Sequence, residues 1–270
     1  MKLINQSATL LPQGESLEGV FRQIELAART CYKSEDKITT DSAKRMVETL
    51  IKSGHTAMLE HGTIYLSIHW DEPNYAIVYN RYRKNPYSVT NVLDGTLFIT
   101  TNYRVIIENH WEEDLKYINT FPTKYHEKRY TIRVVTNLQV SHELVRHRVM
   151  SYAMESSRYC NYSKDKFENE LTFIKPNWLE QSNFNANTIW KRNMERVEYD
   201  YLALLKEGWR PEQAAQVLPK AAKTELVITG TETQWKMWLN LRFHEKTGKV
   251  HPQMKELASL IYDLLSIQMV

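Results

Sequence analysis

The spacing of the apolar residues changes several times along this 270-residue chain, and this constrains the fold more than any other feature. Over 16–31, Leu17, Val20, Phe21, Ile24, Ala27 and Ala28 recur at helical spacing. Asp41 is placed to cap a second helix, striped by Ala43, Met46, Val47, Leu50 and Ile51 and stopped by Gly54. Thr63–Trp70 then alternates as a strand does, with Ile64, Leu66 and Ile68 on one face. A helix is predicted within Asp71–Lys84, after Pro73, and a strand over Leu97–Ile107 behind an Asp94-Gly95 turn. The aromatic, charged stretch on to Lys128 reads as peripheral. Arg129–Asn137 is β-branched and reads as a strand. Gln139–Met150 reads as a helix burying Val140, Leu144, Val145 and Val149. The remaining helices fall at 186–208, from Pro211 to near Pro219, at Thr231–Arg242 and at Pro252–Gln268. With no internal repeat and no low-complexity linker, this pattern predicts one α+β domain over 1–270.

Composition narrows the function classes. A net charge of +3 is too mild for a nucleic-acid coat but suits a small anionic ligand. Two cysteines, Cys31 and Cys160, make neither a disulfide framework nor a Cys-based zinc site. The N-terminus has no apolar h-region, and no run of about 18 apolar residues occurs, so neither a signal peptide nor a membrane span is expected. The expected setting is cytoplasmic. There are only 8 glycines and neither a GxGxxG nor a Walker A loop, so any nucleotide cofactor is held without a Rossmann turn.

The chemistry concentrates in RHRVMSYAMESSRY, residues 146–159. On a helix, Glu143, Arg146 and His147 share a face while Arg148 points away, so one small ligand cannot use all three bases. Two readings follow: a solvated basic face, or a helix wedged between two ligands or two subunits. Ser156, Ser157 and Arg158 in a turn can cradle a phosphate or make a surface turn with an ion pair. Glu143 and Glu155 can orient the arginines or accept from a sugar hydroxyl. Trp235, Trp238, Leu239 and Arg242 share a helix face, which suits an arginine lying over a Trp-rich core. His55 and His61 lack a third ligand at metal-binding spacing, so no metal is expected. Cys160 has no evident His partner and reads as a buried structural thiol.

The 146–159 string closely resembles the signature of the flavin-dependent thymidylate synthases, the ThyX family. AARTCYKSEDK at 27–37, GHTAMLEHG at 54–62, RYCNYSKDKF at 158–167, VLP at 217–219 and LNLR at 239–242 resemble further family segments in order. Residues 71–128 resemble an insertion relative to the shortest members. The resemblance implies a central antiparallel sheet flanked by helices, in a homotetramer with FAD at subunit contacts. It implies conversion of dUMP to dTMP, with methylenetetrahydrofolate as carbon donor and hydride from FAD reduced by NADPH. It places Arg146, His147, Arg148, His55, Ala57, Met154, Thr231 and Thr233 at FAD. Glu143, Arg146, Glu155, Ser156, Ser157 and Arg158 go to dUMP, and Arg242 to the pyrimidine as the catalytic residue. Neither a membrane nor a nucleic-acid partner is implied. The chain departs from the pattern at several places. Ala215 stands where many members carry a phosphate-binding arginine, with Lys220 or Lys223 as candidate replacements. Glu143 stands for a common glutamine, Thr231-Glu232-Thr233 for Asn-Ala-Arg, and Met154 for an acid or amide. The alternatives are a ThyX-like enzyme acting at C5 of another pyrimidine nucleotide, or a non-catalytic nucleotide- or RNA-binding homologue.

Overall fold

Helix α1 (Ser16–Tyr32) lies between two antiparallel sheets and contributes to the packing of both. The computed structural model describes residues 1–266. The four-stranded sheet has the order β2 (Ser7–Leu10), β6 (Arg129–Asn137), β9 (Lys223–Thr231), β7 (Ser151–Met154). Its centre is the ladder of β6 on β9, running from Arg129 opposite Thr231 to Asn137 opposite Lys223. The three-stranded sheet has the order β3 (Thr63–His69), β5 (Thr96–Asn102), β4 (Val89–Leu93). A parallel pair joins β1 (Lys2–Ile4) to β8 (Thr172–Ile174).

Alternation of side chains along β9 builds the layers. Leu226 and Ile228, with Ile132 and Val134 of β6, pack on Trp235 and Trp238 of α8 (Glu232–Arg242) and on Leu257 and Ile261 of α9 (Pro252–Ser266). Val227 and Ala153 meet Ala27 of α1 on the other side. The opposite face of α1, through Val20, Ile24 and Ala28, packs with Ile64, Leu66 and Ile99 and with Val47 and Leu50 of α2 (Ser42–Lys52). A central antiparallel sheet flanked by helices is therefore what the chain forms, as expected.

Several local expectations are overturned. Asp41 precedes α2 but makes no side-chain cap; instead, the Ser42 hydroxyl accepts from the Thr39 amide at 2.8 Å. The strand predicted to Ile107 ends at Asn102, whose side chain accepts from Val105 N and starts α4 (Tyr103–Glu108). The helix predicted within Asp71–Lys84 after Pro73 is, by contrast, found as α3 (Tyr75–Lys84). The stretch called peripheral is partly core. Tyr82 and Asp114 are buried, the Tyr82 hydroxyl donates to Asp114 at 2.8 Å, and Arg81 pairs with the same carboxylate. Its charges looked solvated because their partners lie 32 or 33 residues away in sequence. The short strands β1, β2, β4, β7 and β8 escaped the reading, as did β9. The helix predicted over Pro252–Gln268 is seen to Ser266, and its last two positions lie outside the described residues. The long helix α6 (Phe184–Lys206) is where the periodicity put it, to within two residues at each end, whereas the helix predicted from Pro211 to near Pro219 is α-helical only as α7 (Pro211–Ala214), a 3-10 turn over Ala215–Val217 following it.

Gly62, where the chain enters β3, is packed against α1. A Cβ there would lie 2.7 Å from both Ile24 Cδ1 and Val20 Cγ1. Gly62→Ala should therefore overpack the contact between α1 and β3 and lower the unfolding free energy by about 1–3 kcal/mol. Urea titration checks this; a wild-type midpoint would refute the close approach.

Candidate functional site

The three bases of the signature do not sit on a helix. The side chain of Asn137 accepts from Val140 N at 2.8 Å and starts α5 (Leu138–Leu144), which ends before Arg146. The chain then turns through 145–150, because β7 must begin pairing with β9 at Ser151. Two carbonyls of this turn are held from outside it: the Tyr152 hydroxyl donates to His147 O at 3.1 Å, and Gln234 Nε2 to Val149 O at 2.9 Å. Val145 and Val149 are exposed, contrary to the helical reading, whereas Val140 and Leu144 are buried as expected. The argument from a helical fan of Arg146, His147 and Arg148 therefore falls. Arg146 and Arg148 are exposed and make no ion pair among the described residues.

His147 turns inward to meet α8. Arg242 Nε donates to His147 Nε2 at 3.2 Å, and its Nη1 to Glu143 Oε2 at 3.2 Å. A third bond, from Nη2, reaches Glu143 O at 3.4 Å. Burial, and then the adjacent Arg242 charge, draw the His147 pKa down to about 4. The imidazole is thus a neutral acceptor for the guanidinium, and its ring meets Trp238 edge-on at 6.2 Å. Arg242 does not stack on the buried tryptophans, as the bland reading of its spacing supposed; it is gripped by an acid and a neutral imidazole.

The serine turn follows strand β7, not a helix. Ser156 N donates to Cys31 O at 2.9 Å, and Tyr159 N and Cys160 N donate back to Ser156 O at 3.1 and 3.0 Å. The last turn of α1 therefore holds the turn in place. Ser157 and Arg158 are exposed, with the Arg158 guanidinium 5.3 Å from the Tyr159 ring centroid. Cys160 is fully buried, and burial and then Glu155 push its thiol up to about 12, which suits the structural role expected of it.

Glu155 is no surface acid. It is buried, accepts from the Tyr162 hydroxyl at 2.9 Å and pairs with Lys223 at 2.8 Å. Lys223 also pairs with Glu225, which Lys33 reaches at 3.0 Å and Arg133 also holds. Burial alone would raise Glu225, but Lys223 and Lys33 outweigh it and hold the carboxyl at about 2. Lys33, Glu155, Tyr162, Lys223 and Glu225, but not Arg133, line a cavity of about 290 Å³ with Met154, Ser157, Ala215 and Leu218. Lys223, not the exposed Lys220, thus shares a cavity with Ala215. Lys33, Tyr162 and Glu225 were missed. The only signal was a Lys-x-Glu pair opening an apolar strand, where solvated charges are out of place.

His55 and Ala57 line a separate cleft of about 440 Å³ with Tyr32, Tyr159 and Arg104. His61 faces the core instead, its Nδ1 2.8 Å from Thr229 Oγ1. Thr231 accepts from Gln234 N as the cap of α8, and the Thr233 amide donates to Glu127 at 2.8 Å. The predicted residues therefore fall into separate groups: Glu143, His147 and Arg242; Met154, Glu155 and Ser157; His55 and Ala57. The cavities described here do not join them.

Residues 123–269 match the family model described as thymidylate synthase complementing protein, Thy1, which takes in more than half of the chain. The chain belongs to the Thy1 family. A Thy1 relative named flavin-dependent thymidylate synthase, from Pyrococcus abyssi, is 31% identical over 106 residues, covering 39% of this chain and 42% of that one. The match thus spans about two fifths of that relative's length. A protein of the same name from Corynebacterium aurimucosum is 23% identical over 284 aligned positions, covering 99% of this chain and 87% of its own. A crystal structure of the UMP/dUMP methylase PolB from Streptomyces cacaoi, bound with 5-Br UMP, aligns with a TM-score of 0.49 at 15% identity over 99% of this chain and 92% of that chain.

Two histidines of this Thy1 chain are held neutral, His147 at about 4 and His61 at about 3, the latter by burial and then by Arg129. Unfolding returns both to the ordinary value of 6.5, so below that pH the unfolded chain binds more protons. Their contribution to stability is therefore complete above 6.5 and is lost as pH falls toward 4. The urea midpoint should drop between pH 7 and pH 5, and the His147 ring should show no NMR titration near 6.5. A ring titrating normally there would remove the His147 contribution.

Proposed function

We propose that this chain is a flavin-dependent thymidylate synthase, which methylates dUMP reductively to dTMP. The observation that carries the reading is the pairing of two kinds of arginine within a Thy1 chain. Arg146, Arg148 and Arg158 are exposed and have no ion pair among the described residues. Arg242 is fixed by Glu143 and a neutral His147. Unengaged guanidinium groups suit the diphosphate of FAD and the phosphate of dUMP, so the donor set fits the cofactor. Arg146, His147 and Arg148 would hold FAD, together with His55, Ala57, Met154, Thr231 and Thr233. Ser156, Ser157 and Arg158 would hold the nucleotide phosphate and sugar, with Glu143 and Glu155 orienting them. When bound, FAD reduced by NADPH supplies the hydride, and methylenetetrahydrofolate supplies the carbon. The planar guanidinium fork of Arg242 would donate to negative charge developing on the pyrimidine. Cys160, a buried high-pKa thiol, takes no part as a nucleophile. Turnover with dUMP, methylenetetrahydrofolate, NADPH and FAD tests the reading; a folded, flavin-loaded protein that forms no dTMP overturns it.

A second reading, action at C5 of another pyrimidine nucleotide, is favoured by the cavity beside Ala215, which carries no arginine and whose Lys223 is committed to the buried acids Glu155 and Glu225. Competing UMP and dUMP in the same assay separates the two.

The separation of the three residue groups supports a site assembled from several copies of the chain, as a homotetramer. Light scattering should give a mass well above one chain, and a stable monomer that binds FAD would overturn it. Arg158→Ala should weaken dUMP binding by about 1.5–3 kcal/mol, the cost of losing a charge-assisted contact, and spare FAD binding. Calorimetry with each ligand reads both. Arg242→Lys keeps the charge but loses the planar fork, so turnover should fall by about 100-fold or more with flavin binding kept. A loss of thermal stability with normal turnover would instead make Arg242 a packing residue.

A further inference from the structure

A cavity of about 350 Å³ lies away from all these residues, between the N-terminal segment, the start of β6 and the 118–122 segment. Its walls are mostly apolar, including Leu10, Leu11, Val20, Ile118, Phe121 and Tyr130. Lys128, which is exposed, and Arg129, which is not, also line it. The hydrogen bonds of the Arg129 guanidinium go only to neutral oxygens. Nη1 reaches Thr63 Oγ1 and Thr101 O, both at 3.4 Å, and Nη2 reaches Glu60 O at 3.1 Å. Two of the three contacts are thus near the limit of a hydrogen bond. Arg129 forms no ion pair among the described residues, and the Glu60 carboxylate is committed to Arg104 at 2.6 Å. Burial draws the Arg129 guanidinium down to about 10 against the opposing influence of Tyr65 and the Glu60 carboxylate, so its charge is held with little water and no direct counter-ion. Burying a guanidinium without a paired carboxylate is costly, and a carboxylate is the natural complement of the planar fork.

We propose that this cavity binds a small apolar carboxylate, an aromatic or branched aliphatic monoacid. Its carboxylate pairs with Arg129 and its hydrocarbon part fills the apolar walls. A single buried guanidinium among hydrocarbon walls matches one negative charge on an apolar body; a nucleotide phosphate would find too few donors. The site is independent of the nucleotide chemistry proposed above, and its test uses no turnover.

The probes are 3-phenylpropionate and 4-methylpentanoate, each against its own amide, titrated by calorimetry and by amide NMR on the full chain. The acids should bind at least about tenfold more tightly than the amides, because only the acids pair with the charge. The shifted resonances should map to 10–20, 63–65 and 118–131. Arg129→Gln should remove the preference for acid over amide, and Arg129→Lys should keep part of it. Thr120→Trp, at an exposed rim position, should weaken acid and amide alike. The proposal is overturned if neither acid binds at millimolar concentration, if acid and amide bind equally, if the shifts map elsewhere, or if folded Arg129→Gln keeps the preference. Should Arg129→Gln not fold, the acid–amide comparison and Thr120→Trp decide.

Discussion

The antiparallel ladder of β6 on β9 sets the geometry of the candidate site. Each strand ends in a residue that caps a helix: Asn137 starts α5, and Thr231 starts α8. Because the strands are antiparallel, these helices leave from opposite ends of the ladder. Both pack on the same core through Val140 and Leu144, and through Trp235 and Trp238. Nine paired residues span about 30 Å. Helices of 7 and 11 residues together span about 27 Å. The ends of α5 and α8 therefore meet over the sheet, and Arg242 finds Glu143 and His147 there. Adding or removing a residue in either strand would break that meeting.

Charge is handled differently in the two halves of the site. At the end of α8, one guanidinium is shared between an acid and a neutral imidazole, with other cations left in solvent. Beside β7, Lys223, Lys33 and Arg133 are tied to Glu155 and Glu225 in a buried network. Buried pairs contribute little net stability but hold their members in register, and removing one partner strands the other. The cavity next to Ala215 is thus balanced, and an anion entering it must compete with carboxylates for Lys223.

Reading the sequence found the long amphipathic helices and the β-branched strand, because burial on one face leaves a period that needs no partner to be seen. It failed where a short segment takes its structure from a neighbour. β7 has four residues and exists by pairing with β9. β9 itself carries charged residues at one end that are buried only because Lys33, Arg133 and Glu155 converge there. The turn at 145–150 replaces a predicted helix because Tyr152 and Gln234 hold its carbonyls and β7 pulls it back to the sheet. Helical propensity at RHRV had no competitor in the sequence alone.

The sequence by itself determined the α+β class, the residue types of the site and the resemblance that the family match bears out. These follow from periodicity and from side-chain chemistry, which are local properties. Only the tertiary structure decided that Arg242 faces His147 and Glu143 and not the tryptophans, that Glu155 is buried, and that the candidate residues lie in separate groups. Those outcomes depend on contacts between residues 68 to 99 positions apart, and such contacts exist only once the β6–β9 ladder has closed.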